Sequence, residues 1–309
     1  MMDYRAIVPR LQGPLAPILT AFDEDDALNI DATCQWVDWM INKGIGMFWT
    51  TAGTSHYMCL TDAEIVDLNK ALAATIGDRA IFIASTPWQW PVHAIRQFVD
   101  DAAGWGGVDI VKVQLEWMWK PSDAQVIERY AAVADDSSLP LFAYALPAGQ
   151  ANVDLLHAIM DMPAFVGEKN DIDDFAGQEY FLQAIESRGL TGQFVAMTGG
   201  GLNSVMYGWE LGVRAYGDIF TWFAPEHSLA FYEMLRADRR DEAWRFIAEW
   251  ERPLRHQLET LGVRLWSWGH TVLKLIGQFP AAYTRFPIVP IKESQTSAVQ
   301  HFLTDRRIL

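Results

Sequence analysis

A lysine and a tyrosine at the ends of two neighbouring apolar runs are the residues of this chain best suited to joint chemistry. Lys169 ends the run 164–169, and Tyr144, 25 residues earlier, ends the run 139–144. An amine held among apolar groups is more easily kept uncharged and can attack a ketone, and a nearby phenol can move the protons that imine formation requires. Each residue alone is more typical of an ordinary strand end, where lysine reaches water and tyrosine forms part of a wall. The pair, at the spacing of consecutive strand–helix units, favours imine chemistry.

The alternation of apolar and helical segments predicts the fold that would position this pair. Short apolar runs are followed by segments of helical periodicity, and such repeats form parallel strands with right-handed crossovers. At eight repeats the sheet closes into a (β/α)8 TIM barrel, an α/β fold; a doubly wound open sheet is the alternative, but no Gly-x-Gly-x-x-Gly motif follows any run. The predicted strands are 17–21, 46–50, 81–84, 109–114, 141–144, 165–169, 194–198 and 214–219, and the predicted helices are 31–43, 62–76, 92–103, 123–135, 153–160, 175–187 and 202–211.

The C-terminal part of the chain has a different pattern, because the predicted strands stop near residue 225. We therefore expect residues 1–224 to form the barrel and residues 225–309 to form a C-terminal helical extension packed on it. Within this extension, helices are predicted at 228–236, 241–261 and 265–276, and an extended segment at 280–290.

The composition limits the classes of partner. The 309 residues carry a net charge of −15, which argues against nucleic acid or an anionic membrane, because both attract positive charge. Cys34 and Cys59 lack metal-ligand spacing and are too few for a disulfide framework. No apolar run approaches membrane-spanning length, and the N-terminus has no apolar signal segment. We expect a cytoplasmic protein that acts on a small molecule.

The loops that follow the predicted strands carry the other candidate site residues, since function in such barrels gathers at these strand ends. The loop containing Gly53, Thr54 and Ser55 offers backbone N–H groups and small hydroxyls suited to a carboxylate, although an ordinary polar turn has the same composition. His56 could act as an acid or base near neutral pH, but such a histidine is more often a hydrogen-bonding loop residue. After the seventh predicted strand, Gly199 and Gly200 begin a glycine run.

A second lysine and four tryptophans complete the candidates. Lys112 lies inside the predicted strand 109–114 and could project into the barrel, beside Lys169 or paired with Glu168 or Glu116. It ranks second as a nucleophile because it is not at the open end of its strand. The loops after the third and fourth predicted strands would place indoles near the mouth, where they could select a bulky or apolar second substrate or instead form a subunit contact. These residues are Trp88, Trp90, Trp117 and Trp119.

The chain resembles the dihydrodipicolinate synthase/N-acetylneuraminate lyase superfamily of Schiff-base-forming class I aldolases, from about Gly13 to the C-terminal helices. The most specific matches are Tyr144-x-x-Pro147, for the family's Tyr-Asn-Val-Pro, and Gly167-x-Lys169, for its Gly-Ile-Lys. Three further segments support the resemblance: 17–22, Gly53-Thr54 followed by Leu60-Thr61, and Lys120-Pro121.

The resemblance implies a specific chemistry. Lys169 would condense with the keto carbon of pyruvate or another 2-oxo acid, Tyr144 would shuttle protons, and the Gly53-Thr54 backbone would hold the carboxylate. The iminium is an electron sink that permits C–C cleavage or formation, or loss of water. The resemblance also implies a homo-oligomer, a tetramer, and no metal or cofactor.

Four departures from the family pattern argue against a lysine-pathway synthase. Dihydrodipicolinate synthase has a threonine where this chain has Gly53, a tyrosine at Met118, an arginine at Gly149 and a glutamate at His56. The interpretation we favour is therefore a Schiff-base lyase performing aldol-type cleavage or condensation, with Trp117 and Met118 as possible contacts to the second substrate. A 2-keto-3-deoxy sugar-acid dehydratase and a non-catalytic keto-acid-binding barrel are the alternatives.

Overall fold

The computed structural model describes residues 3–114, 121–144, 152–170 and 175–309, and its centre is a closed barrel of eight parallel strands. Each strand pairs with the next, and β8 pairs with β1, which confirms the predicted TIM barrel. The strands are β1 (Gly13–Pro17), β2 (Met47–Trp49), β3 (Ile81–Ser85), β4 (Ile110–Gln114), β5 (Leu141–Tyr144), β6 (Phe165–Asn170), β7 (Val195–Thr198) and β8 (Ala215–Gly217).

Helices alternate with these strands and form the outer layer. They are α1 (Ile30–Asn42), α2 (Asp62–Ile76), α3 (Val92–Trp105), α4 (Asp123–Ala134), α5 (Val153–Met160), α6 (Phe175–Ser187), α7 (Leu202–Leu211) and α8 (Pro225–Arg236). Four further helices follow: α9 (Arg240–Phe246), which continues through a π-helical segment (Ile247–Glu251) into α10 (Arg252–Leu261), then α11 (Leu265–Leu275) and α12 (Glu293–Asp305). The division of the chain at residue 225 falls just before α8, and as a domain boundary it stays a prediction.

The first strand differs from its predicted position. We expected 17–21, whereas β1 ends at Pro17. The apolar run continues past the strand because residues 18–21 are buried in a loop, where Ala21 N donates to the hydroxyl of Thr33 rather than to a neighbouring strand. Hydrophobicity alone therefore did not mark the end of this strand.

Two features of the extension were also missed. The predicted helix 241–261 contains the π-helical segment Ile247–Glu251, and α12 was not predicted at all. In α12 the buried residues are Val299, Phe302 and Leu303, and none lies before the middle of the helix, so its first half shows no helical period of buried residues.

The barrel interior is filled below the level of the strand ends. Leu15, Met47, Ile83 and Phe142 belong to a buried inner cluster, and a 3₁₀ helix at Tyr4–Arg10 closes the amino-terminal end of the barrel. The carboxyl-terminal end of the barrel opens into a cavity that Lys169 and Tyr144 line. Among the described residues, no helix is long and apolar enough to cross a bilayer.

Candidate active site

A cavity of about 560 Å³ opens at the carboxyl-terminal end of the barrel. It is lined by the last residues of several strands and by the loops that follow them. The lining residues are Pro17, Trp49, Thr51, Ala52, Gly53, Thr54, Met58, Trp88, Lys112, Gln114, Tyr144, Lys169, Gly199, Gly217, Ile219 and Leu265. The structure therefore brings Lys169, Tyr144, Gly53, Thr54 and Gly199 together in one cavity.

Lys169 and Tyr144 lie side by side on adjacent strands. Lys169 Nζ is 4.3 Å from the centre of the Tyr144 ring and 5.6 Å from that of the Trp49 ring. Both residues are partly exposed to the cavity, so a ketone in the cavity has access to the amine and to the phenol.

Gly167, two residues before Lys169, has a packing role that explains part of the Gly-x-Lys motif. The ring of Phe142, from β5, occupies the space where a Cβ of residue 167 would lie. A side chain at this position would displace the ring from the inner cluster of the barrel. The glycine therefore lets β5 and β6 approach closely just below the two candidate residues.

Lys112, the rival lysine, does project into the barrel. Its Nζ lies 4.3 Å from the centre of the Trp49 ring and 5.5 Å from that of the Tyr144 ring. Lys112 pairs in register with Phe142, whereas Gln114 is level with Tyr144, so Lys112 lies one layer deeper. It is 1% exposed. Lys169 is therefore the more accessible of the two amines.

The loop after β2 is held from behind by Ser55. The Ser55 hydroxyl donates to Ile18 O (2.6 Å) and accepts from Thr51 N (3.0 Å), and Thr20 Oγ1 donates to Ser55 O (2.8 Å). Ser55 is fully buried and does not line the cavity, so the geometry favours a supporting role for it. Thr54 N is used within the loop, where it donates to Thr51 Oγ1 (2.8 Å).

A buried polar network fixes the start of this loop. Thr50 Oγ1 donates to Asn69 Oδ1 (2.8 Å) and accepts from Ser85 N (2.9 Å), while Asn69 Nδ2 donates to Tyr57 OH (2.8 Å). The network joins β2, α2, β3 and the end of the loop. Burial raises the pKa of Tyr57, so its hydroxyl stays neutral while it accepts the hydrogen bond from Asn69 Nδ2.

His56 points away from the cavity. Its ring stacks on His270 of α11 (5.1 Å between centres) and on Phe22 (5.9 Å), and Trp266 packs edge-on (6.4 Å). Burial lowers the pKa of His270 to about 3, and burial together with His270 lowers the pKa of His56 well below its usual value. His56 is absent from the cavity lining, so this arrangement offers it no contact with a bound substrate.

Of the tryptophans predicted to lie near the mouth of the barrel, the two that the structure describes have different positions. Trp88 lines the cavity, whereas Trp90 is buried behind it, donating through Nε1 to Asp62 Oδ1 (2.7 Å) and packing against Phe98. Trp117, Met118, Trp119 and Gly149 lie outside the described residues.

Several lining residues were not predicted. Trp49 points inward with Met47, an alternation that the three-residue strand β2 is too short to reveal in the sequence. Ile219 follows β8, and Leu265 begins α11 in the extension, far along the chain from the other lining residues. Within the described part of the chain, no group of three or more His, Cys, Asp or Glu side chains could hold a metal ion.

Comparisons with known proteins agree with the fold. The model of the Dihydrodipicolinate synthetase family matches residues 10–306. A probable 5-dehydro-4-deoxyglucarate dehydratase of Streptomyces avermitilis is 25% identical over 84% of this chain and 79% of its own length. The crystal structure of dihydrodipicolinate synthase from Oceanobacillus iheyensis superimposes with a TM-score of 0.86 at 16% identity, covering 99% of this chain and 100% of that one.

A further solved structure shares the fold. YagE of E. coli K12, a prophage protein of the dihydrodipicolinic acid synthase family solved in complex with pyruvate, superimposes with a TM-score of 0.83 at 19% identity, covering 96% of this chain and 99% of that one. The family match spans nearly the whole sequence and includes every strand of the barrel and both residues of the Lys169–Tyr144 pair. The chain belongs to the Dihydrodipicolinate synthetase family.

Proposed function

We propose that the protein is a Schiff-base-forming lyase that acts on pyruvate or another 2-oxo acid, by aldol-type cleavage or condensation of a C–C bond. The observation that carries the proposal is the distance of 4.3 Å between Lys169 Nζ and the Tyr144 ring centre, in a cavity at the open end of the barrel. We also propose that the protein is a cytoplasmic homotetramer.

Each step of the chemistry has a candidate group. The Lys169 amine adds to the keto carbon, and the resulting carbinolamine loses water to give an iminium ion. Tyr144 supplies and removes the protons that these steps require. The Gly53 N–H and the Thr54 hydroxyl hold the carboxylate of the keto acid. The iminium then accepts the electron pair released when the C–C bond breaks, and the reverse sequence forms that bond.

A dehydratase acting on a 2-keto-3-deoxy sugar acid is the second candidate. It is favoured by the similarity to the protein named a probable 5-dehydro-4-deoxyglucarate dehydratase. Such an enzyme forms the same iminium but expels a hydroxyl group as water instead of breaking a C–C bond. Product analysis separates the two reactions, because pyruvate is released only by the aldolase.

Reductive trapping tests the feature that both candidates share. The protein is incubated with a panel of 2-oxo acids and borohydride, and the mass of the intact chain is measured. We expect a covalent adduct with pyruvate or with a longer 2-oxo acid, and no adduct without borohydride. If no 2-oxo acid gives an adduct, the protein does not form an imine and the proposal is wrong.

A further inference from the structure

A second cavity, of about 240 Å³, adjoins the main one at the ends of β7 and β8. We call it the side cavity. It shares Gly199, Gly217, Ile219 and Leu265 with the main cavity, so a molecule attached at Lys169 can extend past Gly199 into it. Its far wall comes from the extension, through Glu251, Leu254, Arg255 and Leu258.

Glu251 is the polar centre of this wall. It ends the π-helical segment Ile247–Glu251 and is only 6% exposed. Its Oε1 accepts from Leu202 N at the start of α7 (3.1 Å) and from Arg255 Nη2 (2.9 Å). Its Oε2 is buried and has no hydrogen-bond partner among the described residues. Capping α7 thus accounts for one carboxylate oxygen and leaves the other without a donor among the residues that the structure describes.

The glycine run beside Glu251 leaves room for the Glu251 carboxylate and the Arg255 guanidinium. Gly201 has a φ of +100°, and a Cβ there would overlap the Arg255 guanidinium and the Glu251 carboxylate. Arg255 Nη2 also donates to Gly200 O (3.2 Å). The run therefore lets the Glu251–Arg255 pair come close to the end of β7, next to the strand that carries Lys169.

The charges of the side cavity favour hydroxyl donors over a carboxylate. The Arg255 guanidinium is already engaged by Glu251. Asp218 is a second buried carboxyl in the same lining, accepting from Phe220 N (2.8 Å) and from the Ser228 hydroxyl (2.6 Å). Two acidic groups and one guanidinium thus line the side cavity. A buried carboxylate oxygen accepts a hydroxyl hydrogen bond but repels another carboxylate.

We propose that the side cavity binds the distal hydroxyl groups of a polyhydroxy 2-oxo acid, with the Glu251 carboxylate as the acceptor, and discriminates against a substrate whose distal end is a second carboxylate. The inference rests on the proposed function, because the keto end of this substrate is the part that Lys169 attacks. It makes Glu251 a specificity-determining residue supplied by the C-terminal extension.

Two probe molecules differ at the distal end alone. 2-Keto-3-deoxygluconate ends in a hydroxymethyl group, whereas 2-keto-3-deoxyglucarate has a carboxylate there, on a carbon chain of the same length and configuration. For the wild-type protein we expect kcat/KM to be at least about tenfold higher for the hydroxymethyl probe, the lower end of the effect of a hydrogen bond to a charged group. Pyruvate trapping with borohydride serves as the parallel readout of imine formation.

The variant Glu251→Gln keeps an amide oxygen for Leu202 N but replaces the second oxygen with a donor. We expect kcat/KM for 2-keto-3-deoxygluconate to fall about 10- to 100-fold, the preference over 2-keto-3-deoxyglucarate to shrink or reverse, and pyruvate trapping to remain intact. Glu249→Gln, an exposed change in the same π-helical segment, is the matched control and should leave the preference unchanged.

Three results separate the possible failures. If the wild-type protein prefers the dicarboxylate, the inference is wrong whatever the variants do. If Glu251→Gln lowers the rates for both probes equally, Glu251 acts only as a cap for α7, and the inference is again wrong. If the wild-type protein forms no adduct with pyruvate or with either probe, the proposed function fails, and the inference that rests on it fails with it.

Discussion

Removing a single oxygen atom from Tyr144 should separate its chemical role from its role in packing. Tyr144→Phe keeps the ring, and therefore keeps the contacts at 4.3 Å with Lys169 Nζ and at 5.5 Å with Lys112 Nζ. We expect the free energy of unfolding to change by only about 1 kcal/mol, the typical value of one hydrogen bond. Proton transfer should slow by about 10²- to 10⁴-fold, which corresponds to a barrier higher by about 3–5 kcal/mol.

The assay needs no knowledge of the second substrate. An enzyme that forms a pyruvate iminium exchanges the methyl protons of pyruvate with deuterated solvent, and NMR follows this exchange directly. The matched control is Tyr216→Phe, which removes the hydroxyl of a fully buried tyrosine that does not line the cavity. The control should exchange at nearly the wild-type rate. Near-normal exchange in a folded Tyr144→Phe protein would refute the shuttle role.

Two further predictions concern groups around the cavity. Because His270 and His56 are buried with lowered pKa values, the unfolded chain binds more protons below pH 6.5, and the free energy of unfolding should fall as the pH drops toward 5. For His270, whose pKa is about 3, this loss should be on the order of 1 kcal/mol per pH unit. His270→Phe should therefore reduce the loss in free energy of unfolding between pH 7 and pH 5, measured by urea denaturation, by about half of the part that the two histidines cause. An unchanged loss would contradict the lowered pKa of His270. Trp88→Ala should raise KM for the second substrate about tenfold while leaving pyruvate trapping intact. Trp90→Phe, a change at a residue that does not line the cavity, should act mainly on stability. Loss of pyruvate trapping in Trp88→Ala would contradict the role of Trp88 as a wall for the second substrate.

Elements with strong local signals were predicted accurately from the sequence. The helix 62–76 has its predicted bounds, and Thr61 and Glu64 form a capping box at its start, with both hydrogen bonds present. The strand 141–144 also has its predicted bounds, because a proline precedes it and its apolar residues are buried. In such elements the residues that set the structure are neighbours in the sequence.

The candidate site was predicted only where the chemistry of a residue coincided with a strand end. Lys169, Tyr144 and Gly199 meet because the ends of parallel strands in a barrel share one rim. The alternation of side chains within β4 turns Lys112 toward the barrel interior. The sequence was compatible with this orientation but did not determine it, because a shift of one residue in register would turn the side chain outward.

The orientation of loop residues depended on distant parts of the chain. Ser55 and His56 belong to the loop that borders the cavity, yet both are buried behind it, His56 against α11 of the extension. Glu251 meets the start of α7 across 49 positions of sequence, through a π-helical segment that has no local sequence signal. Contacts of this kind follow from tertiary packing, and inspection of the loop alone cannot predict them.

The central claim is that the amine of Lys169 attacks the keto acid. The direct measurement compares borohydride trapping of pyruvate in the wild-type protein, in Lys169→Met and in Lys112→Met, with the modified peptide identified by mass spectrometry. We expect the adduct on the peptide that contains Lys169, its loss in Lys169→Met and its retention in Lys112→Met, since Lys112 lies one layer deeper in the barrel. An adduct on Lys112, or trapping that persists in Lys169→Met, would contradict the account.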